Sequence, residues 1–176
     1  MIVNPPQNNP YITLNMNLIQ NPGFESGQIT PWTNGDGSLP FINGQVTNSN
    51  PHTGTYCLDI YPSGGRSALQ ALPNVPAAKI VNCTIYYKQG PGGNQSYIII
   101  KFSDGTDSGN TYGLSDNSGT WVQTFDFGGS INGYAPKLVS GFYLQGGNVT
   151  HFYVDDVVLT GPLPRNTTLL TYPPQS

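Results

Sequence analysis

Residues 80–102 read IVNCTIYYKQGPGGNQSYIIIKF, two runs of β-branched and aromatic residues on either side of the turn-forming GPGGN. In the first run Val81, Cys83, Ile85 and Tyr87 fall on one side of an extended chain, while Thr84, Tyr86 and Lys88 fall on the other. A period of two with apolar residues on one side is the pattern of a half-buried strand. The same kind of segment recurs outward in both directions: ITLNMNLIQ, PFINGQV, TYCLDIY and SALQAL before it, TWVQTFDF, KLVSGFYLQ and HFYVDDVVLT after it. Between them stand NGDG, SGG, SDGTDSGN and SDNSG, which supply the residues that turns require. Short strands at close spacing with no helical period predict an all-β sandwich.

Composition supports that expectation and narrows the partners. A chain of 176 residues suits one domain with a full core, and 11 Tyr, 7 Phe and the β-branched runs offset 22 Gly and 16 Pro. Charged residues make up only 9% and the net charge is -3, so no basic footprint for nucleic acid or anionic lipid is present. No segment is apolar for long enough to span a bilayer, and MIVNPPQNNPYITLNMN has neither the basic start nor the apolar stretch of a signal peptide. Two cysteines, Cys57 and Cys83, are too few for a disulfide scaffold, and strand parity places them on opposite faces, as two buried thiols.

Three pieces then fall in order: NLIQNPGFESG followed by Trp32, HTGTYCLDI at 52–60, and FYVDDVVLT at 152–160. Together with IVNCTIYYK and GTWVQTFDF they resemble the jelly-roll carbohydrate-binding modules of the family 4, 9 and 22 type, in the galactose-binding-like superfamily. The resemblance implies a jelly-roll β-sandwich of two antiparallel sheets over residues 17–161. The Pro-bearing ends outside the strand pattern read as an N-terminal arm at 1–16 and a Pro-containing C-terminal arm at 162–176. The resemblance also implies a structural calcium, held by the Gly23 carbonyl, the Glu25 carboxylate, Thr53, the Tyr56 carbonyl and Asp155. A hard cation that gathers carboxylate and carbonyl oxygens suits that donor set. Glu25 is the sole glutamate of the chain, at the position where the resemblance asks for one.

Catalysis finds little support. No Gly-x-Ser-x-Gly elbow occurs, His52 and His151 lack neighbours at metal-ligand spacing, and Asp36, Asp104, Asp107 and Asp116 sit in turns. The expectation is a non-enzyme. Sugar recognition needs aromatic faces and polar side chains. Parity places Tyr61, Tyr86 and Gln123 as candidates for one such face, although aromatic residues there serve equally as cross-strand packing.

Two functions remain. The first is a non-catalytic structural subunit of an extracellular or surface assembly, a homo-oligomer or polymer joined through its arms. Ile2, Val3, Ile12, Leu14 and Met16 are the residues for donating a strand to an exposed edge. The second is a stand-alone carbohydrate-binding or adhesin-like module. Among the Asn-x-Ser/Thr patterns, Asn94 and Asn166 are the accessible glycosylation candidates.

Overall fold

The structure, a computed structural model, describes residues 14–61, 66–90, 95–110, 112–115, 119–147 and 151–162. Eleven strands run in chain order among them: β1 (Asn15–Asn17), β2 (Thr33–Asn34), β3 (Gly44–Thr47), β4 (Cys57–Ile60), β5 (Ser67–Pro76), β6 (Asn82–Gln89), β7 (Ser96–Phe102), β8 (Tyr112–Leu114), β9 (Val122–Gln123), β10 (Leu138–Gln145) and β11 (Phe152–Pro162). They form two antiparallel sheets. One has the order β3-β4-β11-β6-β9 with β1 also on β11, and the other has β2-β5-β10-β7-β8. This is the β-sandwich of the jelly-roll class that the sequence predicts. β6 and β7, consecutive in the chain, belong to different layers.

The core is where the two inner faces meet. Leu58, Ile60, Cys83, Ile85, Phe152, Val154 and Leu159 of the first sheet pack toward Ala68, Ile98, Ile100, Phe142 and Leu144 of the second, all fully buried. Trp32 closes one end, with its ring 5.7 Å from Phe24 and 6.2 Å from Phe142 in an edge-on arrangement. Each side chain of that size removes a large apolar area from water, the dominant favourable contribution to such a fold. The thiols follow expectation, both buried and free, with Cys83 in the core and Cys57 outside that cluster. Burial pushes the Cys57 thiol up to about 12, with Asp155 and Asp59 adding to the shift.

Three local expectations fail. Val81 is 53% exposed because the preceding Ile80 takes the inward place, buried with Leu18 and Val75 around Gly161. Thr84 is buried on the outer face. A helix, α1 (Gly128–Asn132), appears where no helical period was visible, since five residues are too few to show one. Asp126 fixes its start by accepting from the backbone N–H groups of both Cys83 and Gly128 at 2.8 Å.

The long strand β11 organises the site. Its first residues pair with β4 (Tyr153 opposite Asp59) and its last with β1 (Met16 opposite Gly161), on the edge away from β6. Between these stretches the register shifts at Asp155–Val158, and Asp156 adopts φ 46°. The early loop fills the gap. The Val157 N–H donates to the Pro22 carbonyl at 3.0 Å, and the Asn17 amide donates to the Val157 carbonyl at 2.9 Å.

Candidate functional site

Two features meet on the first sheet, a carboxylate junction at the β11 bulge and an aromatic face beside it. At the junction Glu25 reaches across to residues 52–56. Its carboxylate accepts from the Thr55 N–H at 2.9 Å and the Tyr56 N–H at 3.0 Å. Gly54 has φ 59°, and a Cβ there would stand 2.5 Å from the Glu25 carboxyl, so only glycine lets the loop wrap this closely. Asp155, fully buried, accepts from the backbone N–H groups of His52 at 2.9 Å and Thr53 at 3.2 Å. Desolvation raises the Asp155 carboxyl above its ordinary value, opposed by those hydrogen bonds and reinforced by the neighbouring Asp156 charge. Asp156 in turn accepts from the Thr53 hydroxyl at 2.9 Å and lies 2.8 Å from His52 Nδ1.

The five positions implied as calcium ligands therefore share one neighbourhood. A Cβ on Gly23 would lie 3.5 Å from Asp155 Oδ1, 3.6 Å from Asp156 Oδ1 and 3.7 Å from Glu25 Cγ, so carboxylate oxygens converge on an open backbone position. Among the described residues no three His, Cys, Asp or Glu side chains are placed to hold a metal together. An oxygen donor set completed by the Gly23 and Tyr56 carbonyls fits a hard cation in kind. The ties drawn here are carboxylate-to-amide bonds, and Thr53 turns its hydroxyl to Asp156 rather than to Asp155.

The aromatic face is built by strand register. Gln45, Asp59, Tyr153 and Lys88 stand opposite one another in a row across β3, β4, β11 and β6, and Asp155, Tyr86 and Gln123 form the next row. The His52 imidazole stacks on Tyr86 with centroids 3.7 Å apart and 15° between planes, and lies 5.6 Å from the Trp121 ring. Lys88 extends over Tyr153 at 5.4 Å and Trp121 at 5.9 Å, donating to the Asn50 side-chain carbonyl at 3.0 Å. At the far end His151 stacks on Tyr153 and contacts the buried Asp59 carboxylate at 3.0 Å.

Tyr86 and Gln123 are thus brought together, the Tyr86 hydroxyl donating to Gln123 Oε1 at 3.4 Å. Tyr61 lies beyond the end of β4, two strands away, where Arg66 sits 5.9 Å above its ring. Sequence reasoning passed over His52, Trp121, Tyr153 and Lys88 as parts of this face. Parity carried a signal for two of them: Lys88 shares a side with Tyr86, and Tyr153 alternates with the core residues Phe152 and Val154. Leu14 and Met16 are 67% and 47% exposed, whereas Ile2, Val3, Ile12, Asn94 and Asn166 lie outside the described residues.

No protein-family model matches the chain, and no curated protein matches it in sequence. Solved structures share its fold. A family 16 carbohydrate-binding module is 17% identical, with a TM-score of 0.58, over 81% of this chain and 99% of its own. The CBM22-1 xylan-binding domain of Paenibacillus barcinonensis Xyn10C is 13% identical, with a TM-score of 0.54, over 87% of this chain and 95% of its own. A family 61 module solved with β-1,4-galactotriose is 20% identical, with a TM-score of 0.50, over 82% of this chain and 97% of its own. The fold is that of jelly-roll carbohydrate-binding modules, as the sequence resemblance implied.

Proposed function

We propose that the protein is a non-catalytic glycan-binding module whose ligand lies along the outer face of the β3-β4-β11-β6-β9 sheet. The observation that carries this reading is the run of rings from Trp121 through Tyr86 and His52 to Tyr153 and His151, with Lys88, Gln123 and Asn50 interspersed. Aromatic faces stack on pyranose rings and the polar groups take the hydroxyls. An open face rather than a closed pocket favours an extended chain over a single terminal sugar. The ligands named for similar folds, β-1,4-galactotriose, xylan and a β-1,3-1,4-mixed-linked tetrasaccharide, supply the first panel to test. Affinity electrophoresis in galactan, xylan and mixed-linkage glucan is expected to retard the protein in at least one gel and to release the Tyr86→Ala variant. Free migration in all three, together with an empty glycan array, would overturn the reading.

Calcium belongs to this proposal as a structural ion. Gly23, Glu25, Thr53, Tyr56 and Asp155 would hold it, and its charge would offset the burial of Asp155 beside Asp156. Such a module works outside the cell or on a surface; no described helix is long and apolar enough to cross a membrane.

A second reading, arm-mediated assembly, draws on one observation. Leu14 and Met16 are exposed, and a groove of about 760 Å³ is lined by Asn15, Ile80, Val81 and Pro162 where β1 begins and β11 ends. Size-exclusion chromatography of the full chain tests it, and a monomer at all concentrations would remove it.

A further inference from the structure

We infer that Asp156 is a positioning residue for the glycan-binding face: its carboxylate holds the His52 ring flat on Tyr86 and turns the outward nitrogen of that ring into an acceptor. The inference rests on the glycan reading only for its consequence in binding. Three contacts converge on His52. Its backbone N–H is held by Asp155 at 2.9 Å, its Nδ1 lies 2.8 Å from Asp156 Oδ2, and its ring covers Tyr86 at 3.7 Å. A neutral imidazole beside a carboxylate places its proton on the near nitrogen, here Nδ1, so Nε2 keeps its lone pair. Nε2 then accepts a hydroxyl proton, while Lys88, over the Trp121 ring, and Gln123, beside the Tyr86 hydroxyl, offer an ammonium and an amide.

The backbone at Asp156 is unusual enough to need a reason. Its φ of 46° lies in the left-handed region, where a non-glycine residue is uncommon, and it falls at the register shift of β11. That bulge aims two successive carboxylates at residues 52–53, with Asp155 taking the backbone and Asp156 taking the side chains. The loop that Glu25 wraps is therefore the loop that presents the ligand-facing ring. The junction and the face are one device, in which Asp156 acts on ligand through His52.

The substitutions that test this keep the backbone. Asp156→Gly accepts a positive φ and deletes the side chain, and Asp156→Asn keeps size and a neutral acceptor. Imidazole nitrogen chemical shifts at mildly alkaline pH report the tautomer without any ligand. The expected result is a His52 locked as Nδ1–H in the parent protein, a mixture in Asp156→Gly, and partial recovery in Asp156→Asn. On whichever of the three polysaccharides binds, Asp156→Gly is expected to weaken affinity about tenfold, the loss of one charge-assisted orienting bond. In a His52→Ala background the same change is expected to do nothing more, because the two act as a unit. An unaltered tautomer in Asp156→Gly, or a further loss of affinity on top of His52→Ala, would overturn the inference. A tautomer switch with no polysaccharide bound upholds the positioning of His52 and removes the glycan reading instead.

Discussion

Each sheet of this sandwich lays a lysine over a tyrosine on its outer face, and the two pairs are answered differently. On the β2-β5-β10-β7-β8 sheet Lys101 lies 4.8 Å above Tyr143 and its ammonium meets Asp107 at 2.7 Å. On the other sheet Lys88 lies 5.4 Å above Tyr153 and donates to the neutral Asn50 amide, with Trp121 as a second ring. The same two residue types make an ion pair in one place and a bond to a neutral side chain in the other. Surface ion pairs contribute little to stability, whereas a lysine framed by rings has bonding capacity for a ligand.

The largest effect should fall on both faces alike. Trp32→Ala removes the ring between Phe24 and Phe142 and is expected to cost about 3–5 kcal/mol, seen as a lower denaturation midpoint with an unchanged slope. If the fold survives with full glycan retardation, the faces do not depend on the common core. The next contrast separates them. Tyr86→Ala is expected to weaken glycan binding about thirtyfold, the scale of a central aromatic anchor, whereas Tyr143→Ala leaves the titration unchanged. Equal losses would dissolve the distinction between the sheets.

Glu25→Gln comes third. It keeps an acceptor for Thr55 and Tyr56 but removes the charge, and about 1–2 kcal/mol of stability should go with it. Melting in calcium and in chelator should then differ less for the variant than for the parent protein, and identical curves for all four would set aside the ion. Smaller still, Lys88→Ala should weaken binding a few-fold, while Lys101→Ala costs below about 1 kcal/mol and leaves binding intact. Calorimetry on the two variants checks both.

Acid supplies the mildest contrast. Asp107 is held below its ordinary value by the Lys101 hydrogen bond, and Asp104 is lowered from 3.8 to about 2, first by the Thr106 hydroxyl and then by the Thr106 N–H. A depressed carboxyl favours the folded state above its unfolded value and loses that contribution as pH falls through its folded one. The Lys137 contact to Asp104, 3.2 Å long, should therefore open as pH falls toward about 2, and the Lys101–Asp107 contact as pH falls below the ordinary carboxylate range, while the Lys88–Asn50 bond, which has no titrating partner, persists; lysine-selective NMR distinguishes them.

Much of this architecture was readable from the chain because period-two alternation reports burial directly. Cys83, Ile85 and Tyr87 point inward as their spacing required, and Leu58 and Ile60 do the same. The site was legible in pieces only. Glu25, Thr53, Tyr56 and Asp155 were placed by resemblance, yet the role of His52 depends on a bulge, a positive φ and a contact across 104 positions, none of which leaves a local pattern. Trp121 carried no local signal, because nothing nearby in sequence reveals the Lys88 ammonium above it. Tyr61 lies apart from Tyr86 and Gln123 because parity says nothing of how far along the sheet a residue lies, here beyond the end of β4.

The pairing of β1 with β11 joins Asn15 to Pro162, and the Asn17 side chain reaches the backbone of Leu159 and Val157. During vectorial synthesis β4 and β6, the neighbours on either side of β11, must wait for the same late strand. The sheet that carries the aromatic face thus assembles only once residue 162 has left the ribosome, whereas β5, β7 and β10 are complete by residue 145. Of the two layers, the one proposed to meet the ligand closes last.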